Sequence, residues 1–325
     1  MVKLDFKIRT AEEIDQGVRF RTYVNYLGAL SDHLRSEFGD GALLVRQTTA
    51  CAQYRRIQAN KELDEVGVHK LMRNAWFTEL QLQMAAQAAE LIPYSNHWAP
   101  VQLYYSVYLL LRAWFVASGQ DVGANHASAL RNASSDIRQR QSLYPSPWSL
   151  CVLGDPEKQT TEYLGLPDGV VITQVNSQRH TPPFWDSFAM FLRTTRKRQV
   201  SRSIDEWKSK RKKQRIDKSQ RAQLVNSLPP TSLFNALYRL RIRSNYEDAD
   251  AFLLSIENDA EAIEFHQAIR SVGWYTLLLL ELLVAARVGR PKFGGWARGF
   301  LQHDSAGLAD DTIGKRSQLI LGHSA

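Results

Sequence analysis

The sequence predicts a mainly α-helical protein, a helical bundle carrying an inserted segment with a small β-hairpin and a basic helix. Three observations carry that expectation. Apolar residues recur at spacings of three and four over long stretches, the period of a helix with one buried face. β-Branched runs are scarce outside one short segment. Proline and glycine gather between about residues 139 and 230, where the helical period lapses.

Taken in order, residues 10–38 and 66–92 repeat the helical pattern, the second through Leu71, Trp76, Leu80, Leu82, Ala86 and Leu91. Pro93 and the turn from Ser95 to Pro100 stop it. A long apolar helix follows from Val101 to about Ser118, with Leu103, Tyr104, Val107, Tyr108, Leu111 and Phe115 as its core face and Gly119 as its stop. Inside the insertion, Tyr163-Leu-Gly-Leu-Pro-Asp-Gly-Val-Val-Ile-Thr173 sets β-branched residues after a Pro-Asp-Gly turn, which predicts the hairpin. Residues 184–192 open an amphipathic helix that runs into the basic segment. Pro229-Pro230 and Thr231-Ser232 mark the cap of the next helix. The last strong helix spans about 259–287, with Gly289 and Pro291 beyond it. The expected organisation is an N-terminal helical region over 1–65, a bundle over 66–290 interrupted by insertion 139–230, and a partly ordered tail over 291–325.

Composition narrows the function classes. At 325 residues, 44% hydrophobic and 23% charged, the chain can bury a sizeable core. Cys51 and Cys151 stand far apart, which predicts packed thiols rather than a disulfide framework or zinc cluster. Residues 1–10 are charged throughout and carry no apolar leader, so a cytoplasmic location is expected. The apolar run from Trp274 to Ala286 is broken by Glu281 and is shorter than the ~20 residues a bilayer needs, so it predicts a buried helix and no membrane partner. Gly-rich phosphate loops, His-Glu-x-x-His, paired Cys-x-x-Cys and Gly-x-Ser-x-Gly are missing, which removes most of the case for nucleotide hydrolysis, hydride transfer, zinc chemistry or a bound cofactor.

Charge is concentrated. Residues 193–221 hold thirteen Lys or Arg against Asp205, Glu206 and Asp217, a net of +10 in a chain of +8, so all other residues together carry −2. Such a run attracts polyanions by counterion release, and RNA is the expected partner of Lys208, Lys210, Arg211, Lys212, Lys213 and Arg215. A solvated helix face without a ligand is the alternative. Trp148, Trp185 and Trp207 either stack on bases beside this run or anchor the insertion to the bundle.

The densest chemistry lies in residues 238–250, where Arg239, Arg241 and Arg243 accompany Asn245, Tyr246, Glu247, Asp248 and Asp250. An α-helical period sets Arg239, Arg243 and Tyr246 on one stripe and Arg241, Asn245 and Asp248 on another, beside a ridge of Leu233, Leu237 and Leu240. Guanidinium forks at the edge of a packed seam suit a phosphate or a carboxylate. The plainer alternative pairs Arg243 with Glu247, and Arg241 with an acid on another helix. The three acids offer hard oxygen ligands to a metal, or they cap the next helix and neutralise the arginines; no metal is expected.

Two segments together resemble the HEPN superfamily of nucleotide-binding helical domains. One is Leu103-Tyr-Tyr-Ser-Val-Tyr-Leu-Leu-Leu-Arg-Ala-Trp-Phe115 with Gly119 and Asn125-His-Ala-Ser128; the other is Leu240-Arg-Ile-Arg-Ser-Asn-Tyr246. The resemblance covers about residues 66–137 and 231–287. It implies a four- or five-helix bundle that forms a homodimer or joins a partner protein, its polar segments facing across a cleft. Many members are metal-independent ribonucleases, some acting as toxins or in defence against phage. In those an arginine steadies the phosphate and a nearby histidine moves the proton of the ribose 2′-hydroxyl. Here Tyr246 stands where such a histidine would follow Arg241, and a phenol is a poor base at neutral pH. Arg298 with His303 and Arg316 with His323 match the spacing literally, at the level chance allows.

The expected site is therefore Arg241, Arg243, Asn245 and Tyr246, with His126 as a base supplied from elsewhere in space. A non-catalytic adaptor that docks nucleic acid or an acidic partner is the rival expectation, and a module for a small phosphorylated ligand is a third.

Overall fold

In the computed structural model the described residues are 11–60, 62–120, 123, 125–157, 161–172, 183–253, 259–304 and 307–322. The first half holds α1 (Ala11–Phe38), α2 (Ala42–Ala50), α3 (Ala52–Arg55), α4 (Glu65–Ala85), α5 (Ile92–Ser95), α6 (Ala99–Ala117) and α7 (His126–Gln139). Two short strands follow, β1 (Cys151–Leu153) and β2 (Glu162–Leu164). The second half holds α8 (Phe184–Arg211), α9 (Lys218–Ser227), α10 (Leu233–Ile242), α11 (Ala249–Leu253), α12 (Asp259–Val288), α13 (Arg290–Gln302) and α14 (Lys315–Gly322). The protein is a mainly α helical bundle with a small β-hairpin.

Helix α12 is the axis of the bundle. It is the one described helix long and apolar enough to cross a membrane, and 83% of that apolar stretch is buried inside the protein. Burial of that much leucine and valine supplies the main driving force for the others to pack on it. Helix α1 runs parallel to it, Arg21 meeting Glu261 near one end and the Tyr275 hydroxyl donating to the Gly39 carbonyl near the other. Helix α4 runs antiparallel, with Leu82 beside His266 and Trp76 Nε1 donating to Glu281 Oε1 at 2.8 Å. Helix α6 closes the layer against both α4 and α12. One continuous apolar cluster runs from Phe20 to Ile320, so α1, from the region set apart as N-terminal, shares the core of the bundle.

The hairpin differs from the expected one. Cys151 pairs with Leu164 and Leu153 with Glu162, so Tyr163 and Leu164 pair back to β1 instead of forward across the Pro-Asp-Gly turn. Cys151 and Val152 are buried while Val171 is 78% exposed, so the pairing that covers the core wins over the local turn. Gly165, at φ +82, ends β2 where the Ser149 carbonyl comes within 2.3 Å of the place a Cβ would take. Thr173, the far end of the expected hairpin, lies outside the described residues.

Helices α8 and α9 form an arm with its own small core of Val200, Ile204 and Val225, covered by Ile216, Leu224 and Leu228. Lys212, at φ 51, turns the chain at the tip, and the Asp217 carboxylate caps α9 by accepting from the Gln220 amide at 2.7 Å. At the root, Arg196 is 1% exposed and donates to the carbonyls of Gly154, Pro229 and Val225, and burial pushes its pKa down to about 10. Arg221 forks onto both oxygens of Asp155 at 2.8 and 3.1 Å. These contacts fasten the arm to the β1 loop.

Where the sequence predicts a partly ordered tail, the described residues beyond 290 form α13 and α14, and both pack on the bundle. Arg316 is fully buried and donates to Glu79 at 2.6 and 2.6 Å and to Glu281 at 2.8 and 2.8 Å. Gly294, Gly295 and Gly299 lie within α13, and Gly294 sits under Leu321, which would be 3.0 Å from an added Cβ.

Candidate functional site

Helix α10 ends at Ile242, and the next five residues, Arg243–Glu247, form a π turn. The Asp248 amide donates to the Arg243 carbonyl at 2.8 Å, the i to i+5 bond of that turn. The stripes expected from an α period are therefore rearranged. Arg241 lies 5.4 Å from the ring centre of Tyr246, and Arg243 donates to Asp248 Oδ2 at 2.5 Å, both at i,i+5 spacing.

Arg243 is sealed. Its Nε also lies 3.0 Å from Glu247 Oε2, Glu247 takes Arg198 at 2.6 Å, and Asp248 takes Arg19 at 3.1 Å. Burial alone would lower its pKa, but Tyr23, Asp248 and Glu247 hold it above the ordinary arginine value. Arg243 thus makes the Glu247 pair that the plainer expectation named and adds Asp248 to it. The adjoining acids are consumed by guanidinium groups. Asn245 is half-buried on the same turn, and Tyr246 is 66% exposed.

Arg241 behaves differently. No carboxylate pairs with it among the described residues; its Nη2 donates to the Tyr105 hydroxyl at 3.1 Å, and its guanidinium lies between the rings of Tyr105 and Tyr246, 5.4 Å from each. Tyr105 also packs against His126. The imidazole sits 4.3 Å from the ring centre of Tyr108, 5.5 Å from Tyr104, 5.6 Å from Tyr105 and 5.8 Å from Tyr238. The Tyr104 hydroxyl and His126 Nδ1 are 3.0 Å apart in a hydrogen bond whose direction follows the imidazole tautomer. Burial, then Arg241 and Arg112, pushes the His126 pKa below its usual value, while burial drives the Tyr104 phenol far above its own. The histidine is therefore neutral at pH 7, and Tyr104 stays protonated.

His126 also lines a cavity of about 700 Å³ between α7, α8 and α10, together with Arg131, Arg198, Arg202, Arg239 and Tyr238. Those four arginines face only Glu206 and Glu247. Arg239 is the deepest cation there. Its Nη1 donates to Thr194 at 2.8 Å and Thr195 at 3.4 Å, no carboxylate pairs with it among the described residues, and burial lowers its pKa. A half-buried guanidinium without a counter-charge is partly desolvated, and an arriving anion offsets that cost. The N-terminus of α7 borders the cavity, Asn125 capping it through the Ala127 amide at 2.8 Å, and adds a weak positive field.

The structure thus joins His126 to Arg241, separates both from Arg243, and adds Arg239, which a stripe named but the expected site left out, together with Arg131, Arg198 and Arg202. Arg239 and Arg241 alternate along α10; the missed signal was that the tyrosine-rich face of α6 must cover one of them. Arg316, whose spacing to His323 matched the family pattern, is buried against two glutamates. His323 lies outside the described residues. Of the three tryptophans near the insertion, Trp148 is an anchor, fully buried and donating to Thr276 Oγ1 at 3.1 Å. Trp207 lies at the arm's tip, with Arg211 and Lys213 at 5.1 and 5.9 Å from its ring centre. Lys210, Arg211, Lys212, Lys213 and Arg215 are exposed, Lys208 is half-buried, and none is paired with a carboxylate among the described residues.

Compared with known proteins, the chain matches no family model, no curated protein and no solved structure.

Proposed function

We propose that the protein binds RNA and is HEPN-like, with the phosphate held in the cavity that His126 and Arg239 line and Arg241 acting on His126 from behind it. The observation that carries this reading is the cavity of about 700 Å³ whose wall holds Arg239, a half-buried cation without a carboxylate among the described residues, beside a neutral histidine. A phosphodiester supplies the missing negative charge, and guanidinium forks match its geometry. The arm supplies the longer-range attraction through its tip cations.

A metal-independent ribonuclease reaction fits these groups. In the tautomer whose Nδ1–H donates to the Tyr104 oxygen, Nε2 accepts the proton of a ribose 2′-hydroxyl. The 2′-oxygen attacks the adjacent phosphorus, the bond to the 5′-oxygen breaks, and that oxygen takes a proton to leave a 2′,3′-cyclic phosphate end. Arg239 offsets the added charge on the phosphate oxygens. Such an activity would suit an effector of a toxin or phage-defence system, a role that follows from the family resemblance. A non-catalytic adaptor is the second reading, favoured by the exposed Tyr246 in place of the family's histidine.

Labelled RNA incubated with the protein in EDTA separates them. Cyclic phosphate ends that vanish in both His126→Ala and Arg239→Gln support the ribonuclease. Binding that is weakened by Arg239→Gln, with no cleavage by any variant, supports the adaptor. Absence of both binding and cleavage contradicts the proposal.

A further inference from the structure

A second cavity, of about 460 Å³, shares no lining residue with the first. Its volume falls within the ~300–1,000 Å³ typical of small-molecule sites. It is bounded by the turn after α1, by α4, by α12 and by the start of α14.

Helix α12 is apolar almost throughout, yet Gln267, Arg270, Ser271 and Trp274 repeat at i, i+3, i+4 and i+7, and all four line this cavity. Arg270 is half-buried, its Nε donates to Gln83 Oε1 at 2.5 Å, and burial lowers its pKa. No carboxylate pairs with it among the described residues. Arg35 stands at the rim, where Asp40 also lines the cavity, and pairs with no carboxylate among the described residues, whereas Lys315 pairs with Asp311 at 2.6 Å. The Ser271 hydroxyl is buried without a hydrogen-bond partner. A solvated stripe would leave that hydroxyl to water and need no sunken guanidinium. Trp274 is held in place, because it packs over Gly41 where a Cβ would come within 2.7 Å, and it meets Tyr275 edge-on at 5.0 Å. Asp311 and Thr312 reach the cavity from a π turn, Asp310–Gly314. The π turn at Arg243–Glu247 borders the first cavity through Glu247, and such turns gather at functional sites.

We propose that this cavity binds a small anion carrying a flat ring, the anion on Arg270 and Arg35 and the ring against Trp274. The anion is a phosphate or a carboxylate, since guanidinium groups accept both. The amides of Gln83 and Gln267 supply hydrogen bonds to the ring's polar edge. This site stands independently of the RNA reading.

Titration calorimetry on the full chain tests it with four probes: adenosine monophosphate, anthranilate, inorganic phosphate and adenosine. At least one of the two ring-bearing anions binds, more tightly than phosphate or adenosine, and which one binds identifies the anion. Arg270→Gln and Arg35→Gln each weaken that binding about tenfold, while Arg239→Gln leaves it unchanged. Trp274→Leu abolishes the advantage of the ring-bearing probe over inorganic phosphate. Arg35 is exposed, so its variant reports on binding even if Arg270→Gln fails to fold. Silence of both ring-bearing anions at millimolar concentration overturns the proposal, as does binding that Arg35→Gln leaves unaltered or that Arg239→Gln abolishes.

Discussion

At His126 two cations and a ring of tyrosines set the proton affinity of one imidazole. Burial and the like charges of Arg241 and Arg112 all disfavour the imidazolium, so His126 should titrate below pH 6.5 in the folded protein. Removing Arg241 removes a like charge, so in Arg241→Ala the titration should move to higher pH; proton NMR of the histidine ring reads this directly. A depressed folded value also means that the unfolded chain binds the proton first, so His126 costs stability as pH falls from about 6.5. Arg243 makes the contrasting case. Asp248 is almost fully buried, at 3% side-chain exposure, and takes both Arg243 and Arg19. Arg243→Met should therefore destabilise by about 2 kcal/mol in urea unfolding through the charge it leaves behind, with less effect on RNA affinity than Arg239→Gln. His126 and Arg241 were legible as residue types at the edge of a seam. Their partners were not, because the residue order does not say which face of α10 the tyrosines of α6 cover, and the π turn after Ile242 moves Tyr246 out of its α-helical register.

Among the elements, the arm separates attraction from architecture. Its small core of Val200, Ile204 and Val225 lies along α8 and α9, and Arg196 and Arg221 fix its root, so the tip cations carry no structural duty. Neutralising Lys210, Arg211, Lys212 and Lys213 together should leave the melting temperature unchanged. The same change should flatten the salt dependence of RNA binding by about 3 logarithmic units per decade of salt, since each single-strand phosphate that a cation neutralises adds ~0.7 to the slope. Filter binding across a salt series measures the slope. The basic helix was legible because thirteen cations crowd into residues 193–221. The strand pairing was not, because burial of Cys151 and Val152, rather than the Pro-Asp-Gly turn, decides it.

For the whole molecule the decisive long-range link is Arg316, which ties α14 to α4 and α12 through Glu79 and Glu281. Arg316→Met leaves two buried carboxylates facing each other and should cost about 3–5 kcal/mol, whereas the triple change with Glu79→Leu and Glu281→Leu should recover much of it; chemical denaturation compares the two. The helical bundle was legible in the three-and-four spacing because each helix has one face to bury. The packed C-terminal helices were not, since Arg316 and Lys292 find Glu79 and Glu65 more than 200 residues away. The bundle thus places a neutral histidine and an uncompensated arginine on one cavity wall, and the account depends on an RNA phosphate reaching them. The His126 titration, followed by NMR with and without saturating single-stranded RNA, tests this most directly. A bound phosphate favours the imidazolium, so its pKa should rise on binding; a His126 titration that saturating RNA leaves unmoved would contradict the site.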